Sequence, residues 1–207
     1  MTTLVHLLRH ASHGHLGRVL TGRQPGIPLT PAGHAEAQAL GRHMAKLGVD
    51  VLFTSPRRRA RESAWHVARE TGALCRVAPE LDEIDFGDWT GMTFDALSSD
   101  PRWRHWNEAR DMASTPAGET MRDVAARVAG LIGRLQREFP HEALGLVTHS
   151  DVIKATICHY QGWSFNRVHS FEIGPATVST LALRDGGSDL IACNVTPAPV
   201  HAEEVPA

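Results

Sequence analysis

The sequence predicts a single α/β domain of three layers, a mostly parallel sheet with helices on both faces. Three observations predict it. Short apolar runs of strand length alternate with longer stretches of helical spacing. Several of those runs stop abruptly at polar residues, and Ser/Thr-Pro and Gly signals mark where helices begin and end. At 207 residues the chain can bury one substantial core and is short for two domains. The domain is assigned to residues 1–195, and the Pro-rich tail, residues 196–207, is expected to be poorly ordered.

Leu4 to Leu8 is nearly all apolar, as for a central strand buried on both faces, and runs straight into Arg9 and His10. The Gly-rich segment His13 to Leu29, carrying Arg18 and Arg23, is long for a compact domain, and such loops are usually functional. Thr30-Pro31 reads as an N-cap followed by proline at the first helical position. Ala35, Ala39, Leu40, Met44 and Leu47 follow at helical spacing, and Gly48 ends the helix. Val51 to Thr54 is a second buried strand. Ser55-Pro56 repeats the helix-start signal for a helix reaching Gly72, and Leu74 to Val77 is a third strand.

Pro79 to Gly91 holds five acids and two glycines and reads as a loop. A weaker helical zone carries Trp103 and Trp106, expected to pack a small lid, and a linker surrounds Pro116-Ala117-Gly118. Glu119 to Glu138 is amphipathic, with Met121, Val124, Val128, Leu131, Ile132 and Leu135 on one face. Ala143 to Thr148 is the fourth strand, ending in His149-Ser150, and a helix from Asp151 to His159 follows. Strands near Val178 to Leu183 and Asp189 to Asn194 complete the chain, which has no internal repeat.

Composition removes several function classes. A net charge of -2, from 21 Lys+Arg against 23 Asp+Glu, argues against a nucleic-acid partner. No run approaches transmembrane length and no secretory leader is evident, so no membrane partner is expected. Cys75, Cys158 and Cys193, odd in number and widely spaced, suggest reduced thiols and a cytoplasmic location. The 13 histidines are scattered without metal-ligand spacing, and no Gly-rich nucleotide-binding motif follows a strand. Asp82, Asp85 and Asp88 therefore read as a plain acidic loop.

Chemistry gathers at three strand ends: Arg9-His10, Ser55 to Ala60, and His149-Ser150. Parallel strands bring these ends to one edge of the sheet, where open α/β folds bind ligands. Two imidazoles and at least two guanidiniums there suit a doubly charged anion such as a phosphomonoester, with helix starts adding N–H groups. Glu83, in the acidic loop, is the natural proton donor to a departing alkoxide. Arg57 and Arg58 are expected on a solvated helix start, and His13 and His15 at the surface.

These segments resemble the histidine phosphatase superfamily in its phosphoglycerate mutase-like branch. Arg9-His10-Ala11 is similar to that family's Arg-His-Gly, and Gly22, Pro28-Leu29-Thr30 and Gly33 to its following element. Ser55-Pro56-Arg57-Arg58-Arg59-Ala60 matches its Ser-Pro-x-x-Arg-Ala, which makes Arg59 the phosphate arginine. Glu83, Gly87, Trp89 and Gly91 match Glu-x-x-x-Gly-x-Trp-x-Gly. Pro116-Ala117-Gly118-Glu119-Thr120 and Val147-Thr148-His149-Ser150 match the last two elements, so the likeness runs from about Leu4 to about Ala182. Ala11 and Ser150 stand where the family has glycine, and Leu16 where it often has an asparagine.

The resemblance implies a phosphoglycerate mutase-like fold and a phosphatase that needs neither metal nor cofactor. It implies catalysis by His10, Glu83, Arg9, Arg59 and His149, with Arg9, Thr21, Gly22, Arg59, His149 and Ser150 against the phosphate. His10 would attack phosphorus to give a phosphohistidine, and Arg9, Arg59 and a protonated His149 would offset charge on the phosphoryl oxygens. Glu83 would protonate the leaving oxygen and then activate water. The partner is a small phosphorylated metabolite, sugar- or carboxylate-bearing, and a homodimer is left open. The alternatives are a phosphoglycerate mutase and a non-catalytic member that binds a phospho-ligand or a protein.

Overall fold

The computed structural model describes residues 2–198. The first strand, β1, spans Thr2–Arg9, longer at both ends than its apolar run because backbone pairing continues past the buried side chains. Leu4, near its entry, stays 38% exposed, whereas Val5, Leu7 and Leu8 are fully buried. Helix α1, Pro31–Leu47, starts where the sequence places it: the Thr30 side chain accepts from Gly33 N–H, and Gly48 closes it in the left-handed region. Strand β2 is Val51–Thr54 and helix α2 is Arg58–Thr71.

The Ser55-Pro56 start signal is displaced. Arg57, not Ser55, is the N-cap of α2, and the Ser55 hydroxyl, which accepts from Arg57 N–H at 3.2 Å, is also hydrogen-bonded to His149, 94 positions away. Strand β3, Cys75–Val77, leads into the acidic segment, which is a loop with single helical turns at Pro79–Leu81 and Gly87–Trp89. The weak helical zone resolves into α3, Phe94–Ser98, and α4, Pro101–Glu108, capped by Thr93 and Asp100. Helix α5, Met121–Glu138, carries a capping box between Thr120 and Asp123. Strand β4 is Leu144–Thr148, α6 is Ser150–Gln161, and β5 and β6 are Val178–Arg184 and Gly187–Val195. Of the expected tail, residues 199–207 lie outside the described residues.

The six strands form one sheet in the order β3-β2-β4-β1-β5-β6. The first four are parallel, and β5 and β6 are antiparallel additions at one side. Alternation along the strands sorts the core into two layers. Val5, Leu7, Leu144 and Leu146 join the apolar faces of α5 and α6, while Leu8, Leu52 and Val147 join those of α1 and α2. Trp89, Leu97 and fully buried Trp106 belong to the α5–α6 core, so the lid is continuous with the domain. No described helix is long and apolar enough to cross a membrane.

Parallel pairing sets Arg9 opposite Thr148 and Thr54 opposite Val147, so the three chemistry-bearing strand ends lie side by side. The nucleophile candidate is pinned on both flanks. His10 N–H donates to Thr148 O at 3.0 Å, and Ala176 N–H donates to His10 O at 3.2 Å.

Candidate active site

Arg9, His10, Thr21, Gly22, Arg59, Glu83 and Ser150 line one cavity of about 350 Å³ beyond the carboxyl ends of β1 and β4. His149 lies one layer behind the wall. It is fully buried, its ring centre is 5.1 Å from that of His10, and Arg59 lies against it.

Hydrogen bonds assign the tautomers of both rings. His10 Nδ1 is 2.8 Å from its own neighbour's carbonyl, Ala11 O, which can only accept, so Nδ1 carries the proton. Nε2 faces Arg59 Nε at 3.2 Å, and a guanidinium can only donate, so Nε2 holds its lone pair. His149 is the opposite tautomer. Its Nδ1 accepts from Arg59 Nη2 at 3.1 Å, and its Nε2–H donates to Ser55 Oγ at 2.8 Å. Burial, then Arg59, drives both pKa values well below the ordinary histidine value, with Arg9 pressing the same way. The expectation of a protonated His149 is therefore corrected for the free protein: desolvation and the guanidiniums hold the ring neutral.

Arg59 is the hub. Nη2 also donates to Gly22 O at 2.8 Å, while Nη1 is buried and has no partner among the described residues. Arg9 donates from Nη1 to Ile173 O at 2.5 Å, and its buried Nε is likewise unpaired among the described residues. Buried donors without acceptors cost roughly 1–3 kcal/mol each. Both guanidiniums line the cavity beside His10.

Glu83 has its carboxyl pushed up to about 8, by burial first and next by Asp151, against Arg59, the Ile84 N–H and Arg9. It is a neutral acid at pH 7. Asp82 and Asp85, its neighbours in the acidic loop, are both spent on scaffolding. Asp82 pairs with Arg57 at 2.7 Å, and Asp85 and Glu119 pair with Arg23 at 3.3 and 2.9 Å. Arg23 Nε and Arg127 Nη2 also donate to Glu83 O, at 2.8 and 3.3 Å, so the backbone at Glu83 is clamped from two sides.

Arg57 is corrected from a solvated residue to a half-buried strut that also donates to Arg23 O. Arg58 remains exposed and pairs with Glu62 at 2.7 Å. His15 is exposed as expected, but His13 is buried, 5.3 Å ring to ring from His10, and lines the cavity. Burial, with Arg59 and Arg9, lowers its pKa to about 4. Its Nδ1 accepts from His15 N–H at 3.3 Å, which leaves Nε2 as the donor of the neutral ring. Sequence reasoning also missed Asp151, which lines the cavity and pairs with buried Arg110 at 3.1 Å. An acid one residue into a helix that starts beside His149 was the signal available for it. Among the described residues, no cluster of three or more metal-ligating side chains occurs.

An unprotonated imidazole nitrogen, two guanidiniums with unpaired N–H groups and a carboxyl pushed up to about 8 thus meet at the carboxyl edge of this α/β sheet. The comparisons with known proteins agree, and the chain belongs to the histidine phosphatase superfamily (branch 1), whose family model matches residues 5–196. It is 32% identical over 187 residues to a 2,3-bisphosphoglycerate-dependent phosphoglycerate mutase of Methylobacterium sp. (strain 4-46), covering 84% of this chain and 88% of that one. It is 23% identical over 180 residues to phosphoserine phosphatase 1 of Hydrogenobacter thermophilus, covering 84% and 85%. The fold matches phosphoserine phosphatase from Entamoeba histolytica in complex with 3-phosphoglyceric acid with a TM-score of 0.84, at 25% identity, covering 94% and 98% of the two chains.

Proposed function

We propose that this protein is a phosphomonoesterase that hydrolyses a small phosphate ester through a phosphohistidine at His10 Nε2. The observation that carries the reading is a pairing in one cavity: His10 Nε2 is unprotonated and held toward Arg59 Nε, and beside it lies the buried Glu83 carboxyl, pushed up to about 8. That is the combination that in-line attack on an ester with a poor leaving group requires.

The phosphoryl group completes the unpaired N–H groups of Arg9 and Arg59, which hold charge as it builds on the equatorial oxygens. Nε2 attacks phosphorus, the P–O bond breaks, and Glu83 gives its proton to the leaving oxygen. The resulting carboxylate takes a proton from water, whose oxygen attacks phosphorus as the P–N bond breaks. Phosphate leaves, and both side chains regain their starting states. His149 and Ser55 act as positioning residues, because they hold the Arg59 fork where the phosphate must sit. No step needs a metal, since the guanidiniums supply the positive charge.

A mutase is the second reading, because several relatives at 31–33% identity carry that name. A bisphosphate intermediate must hold its second phosphate on further cations. Among the described residues, Arg9 and Arg59 are the arginines that line the cavity, no lysine does, and both lie beside His10. A purely binding role leaves the protonated, buried Glu83 without a use.

The test is to incubate the purified protein, with EDTA, against a panel of phosphate monoesters and follow inorganic phosphate. Phosphate release supports hydrolysis. Primer-dependent exchange of 2- and 3-phosphoglycerate without phosphate release would make it a mutase, and no turnover of any ester would leave a binding protein.

A further inference from the structure

The cavity is chemically two-sided. Arg9, His10 and Arg59 gather at the strand ends, while Leu16, Val19, Leu20, Phe86 and Phe94 supply its apolar lining. The walls are built rather than incidental. Residues 18–20 and 91–94 run as a short ladder, with Leu20 N–H to Met92 O at 2.9 Å, Gly91 N–H to Leu20 O at 2.8 Å and Phe94 N–H to Arg18 O at 3.1 Å. Phe94 is backed by Trp103, which stands edge-on to buried Trp89. The aromatic wall is thus anchored in the core, yet Phe94 itself keeps 36% of its surface exposed.

The charges in this cavity are wrong for an anionic substituent. Among the described residues its acids are Glu83, held protonated, and Asp151, its cations are Arg9 and Arg59, and Arg110 answers Asp151 from behind the wall. His13 is held neutral. A carboxylate or second phosphate placed there would lose hydration without meeting a cation. An apolar face would displace water from Leu16, Val19 and Phe94.

We infer that the alcohol half of the substrate is uncharged and apolar, an aryl or alkyl group seated between Leu16 and Phe94, and not a carboxylate-bearing fragment. This rests on the phosphomonoesterase reading and narrows the sugar- or carboxylate-bearing phosphate expected from sequence.

The experiment compares kcat/KM for benzyl phosphate and O-phosphoserine, both primary alkoxide leaving groups, with p-nitrophenyl phosphate as the activity control. Benzyl phosphate should be favoured by more than about tenfold, the discrimination an apolar pocket commonly gives. Phe94→Ala should shrink that ratio toward one, and Leu16→Arg, which adds a cation to the wall, should move it toward O-phosphoserine. If wild type cleaves O-phosphoserine as well as or better than benzyl phosphate, the inference is overturned while the phosphatase reading stands. If p-nitrophenyl phosphate and both esters are inert, the phosphatase reading falls and takes the inference with it.

Discussion

Arg59 Nε stands 3.2 Å from His10 Nε2, a contact in which the guanidinium can only donate. It therefore marks the nitrogen that keeps its lone pair, at the point where a phosphoryl group would enter. The same fork reaches His149 at 3.1 Å and Gly22 O at 2.8 Å, so its plane is fixed by three partners. A lysine has the charge without the fork. Arg59→Lys should lower kcat about 10²–10³-fold, the usual cost of one preorganised transition-state donor. Steady-state rates with p-nitrophenyl phosphate measure this, and near-wild-type turnover would show that charge alone suffices.

His10→Ala should abolish turnover together with any acid-labile, base-stable phosphate label on the protein. Rapid quench with radiolabelled ester reads both. EDTA should leave the wild-type rate unchanged, and inhibition reversed by a divalent ion would contradict the proposed chemistry.

The pH dependence follows from Glu83. Its acid form is present below about 8, so kcat/KM should fall as pH rises through that value, and the limb should be absent in Glu83→Gln. Stability carries the same signature. The folded-state pKa is raised above the ordinary 4.5, so ionising the buried carboxyl opposes folding progressively between pH 4.5 and about 8. Glu83→Gln should melt higher than wild type at pH 9, with the gap closing toward pH 5. At the acid end the sign reverses. Burial holds His6 and His13 down to about 4, and His10 and His149 well below 6.5. The unfolded chain takes up those protons first, so stability should be lost as pH falls from 6.5 toward 4. Thermal melts across the range test both arms.

Gly33 lets α1 approach the loop after the nucleophile. A Cβ there would lie 2.1 Å from Ser12 O, the carbonyl that accepts from Thr30 N–H at 3.0 Å. Gly33→Ala should cost about 1–3 kcal/mol, as overpacking does. It should also lower kcat, because Ser12 cannot move without disturbing Ala11 O, which fixes the His10 tautomer. Denaturant melts and kinetics on one preparation test the two effects; an unchanged protein would mean that the backbone relaxes freely.

Local chemistry made much of this readable in advance. The α1 boundaries follow from Thr30, Pro31 and Gly48, whose signals are satisfied within a few residues. The convergence of Arg9, His10, Arg59 and Glu83 follows from parallel strand ends and ordered motifs. What stayed hidden depends on long-range partners. Ser55 looks like a helix cap, but its hydroxyl goes to His149, and Asp82 and Asp85 look free until Arg57 and Arg23 arrive from elsewhere. Gly87 is visible as a motif glycine, yet its reason is spatial. It sits at φ +52°, where a Cβ would fall 1.7 Å from Pro116 O. His13 misled because exposure depends on how the loop folds back over His10.

The sharpest test of the mechanism concerns which leaving groups need Glu83. The carboxyl is clamped through its own backbone by Arg23 and Arg127, and its Oε2 lies 3.8 Å from His149 Nδ1. An alkoxide cannot depart without a proton, whereas p-nitrophenolate leaves largely unaided. Glu83→Gln keeps the size and removes the titratable proton. It should slow phosphorylation of His10 by about 10²–10⁴-fold with an alkyl phosphate, the usual worth of general acid catalysis, and by far less with p-nitrophenyl phosphate. Single-turnover phosphorylation rates are the right comparison, because hydrolysis of the phosphohistidine also uses Glu83 and would mask the difference at steady state. Equal losses for the two esters would remove Glu83 from the acid role. Asp151 would be next in line, since it lines the cavity with Glu83 and Asp82 and Asp85 do not.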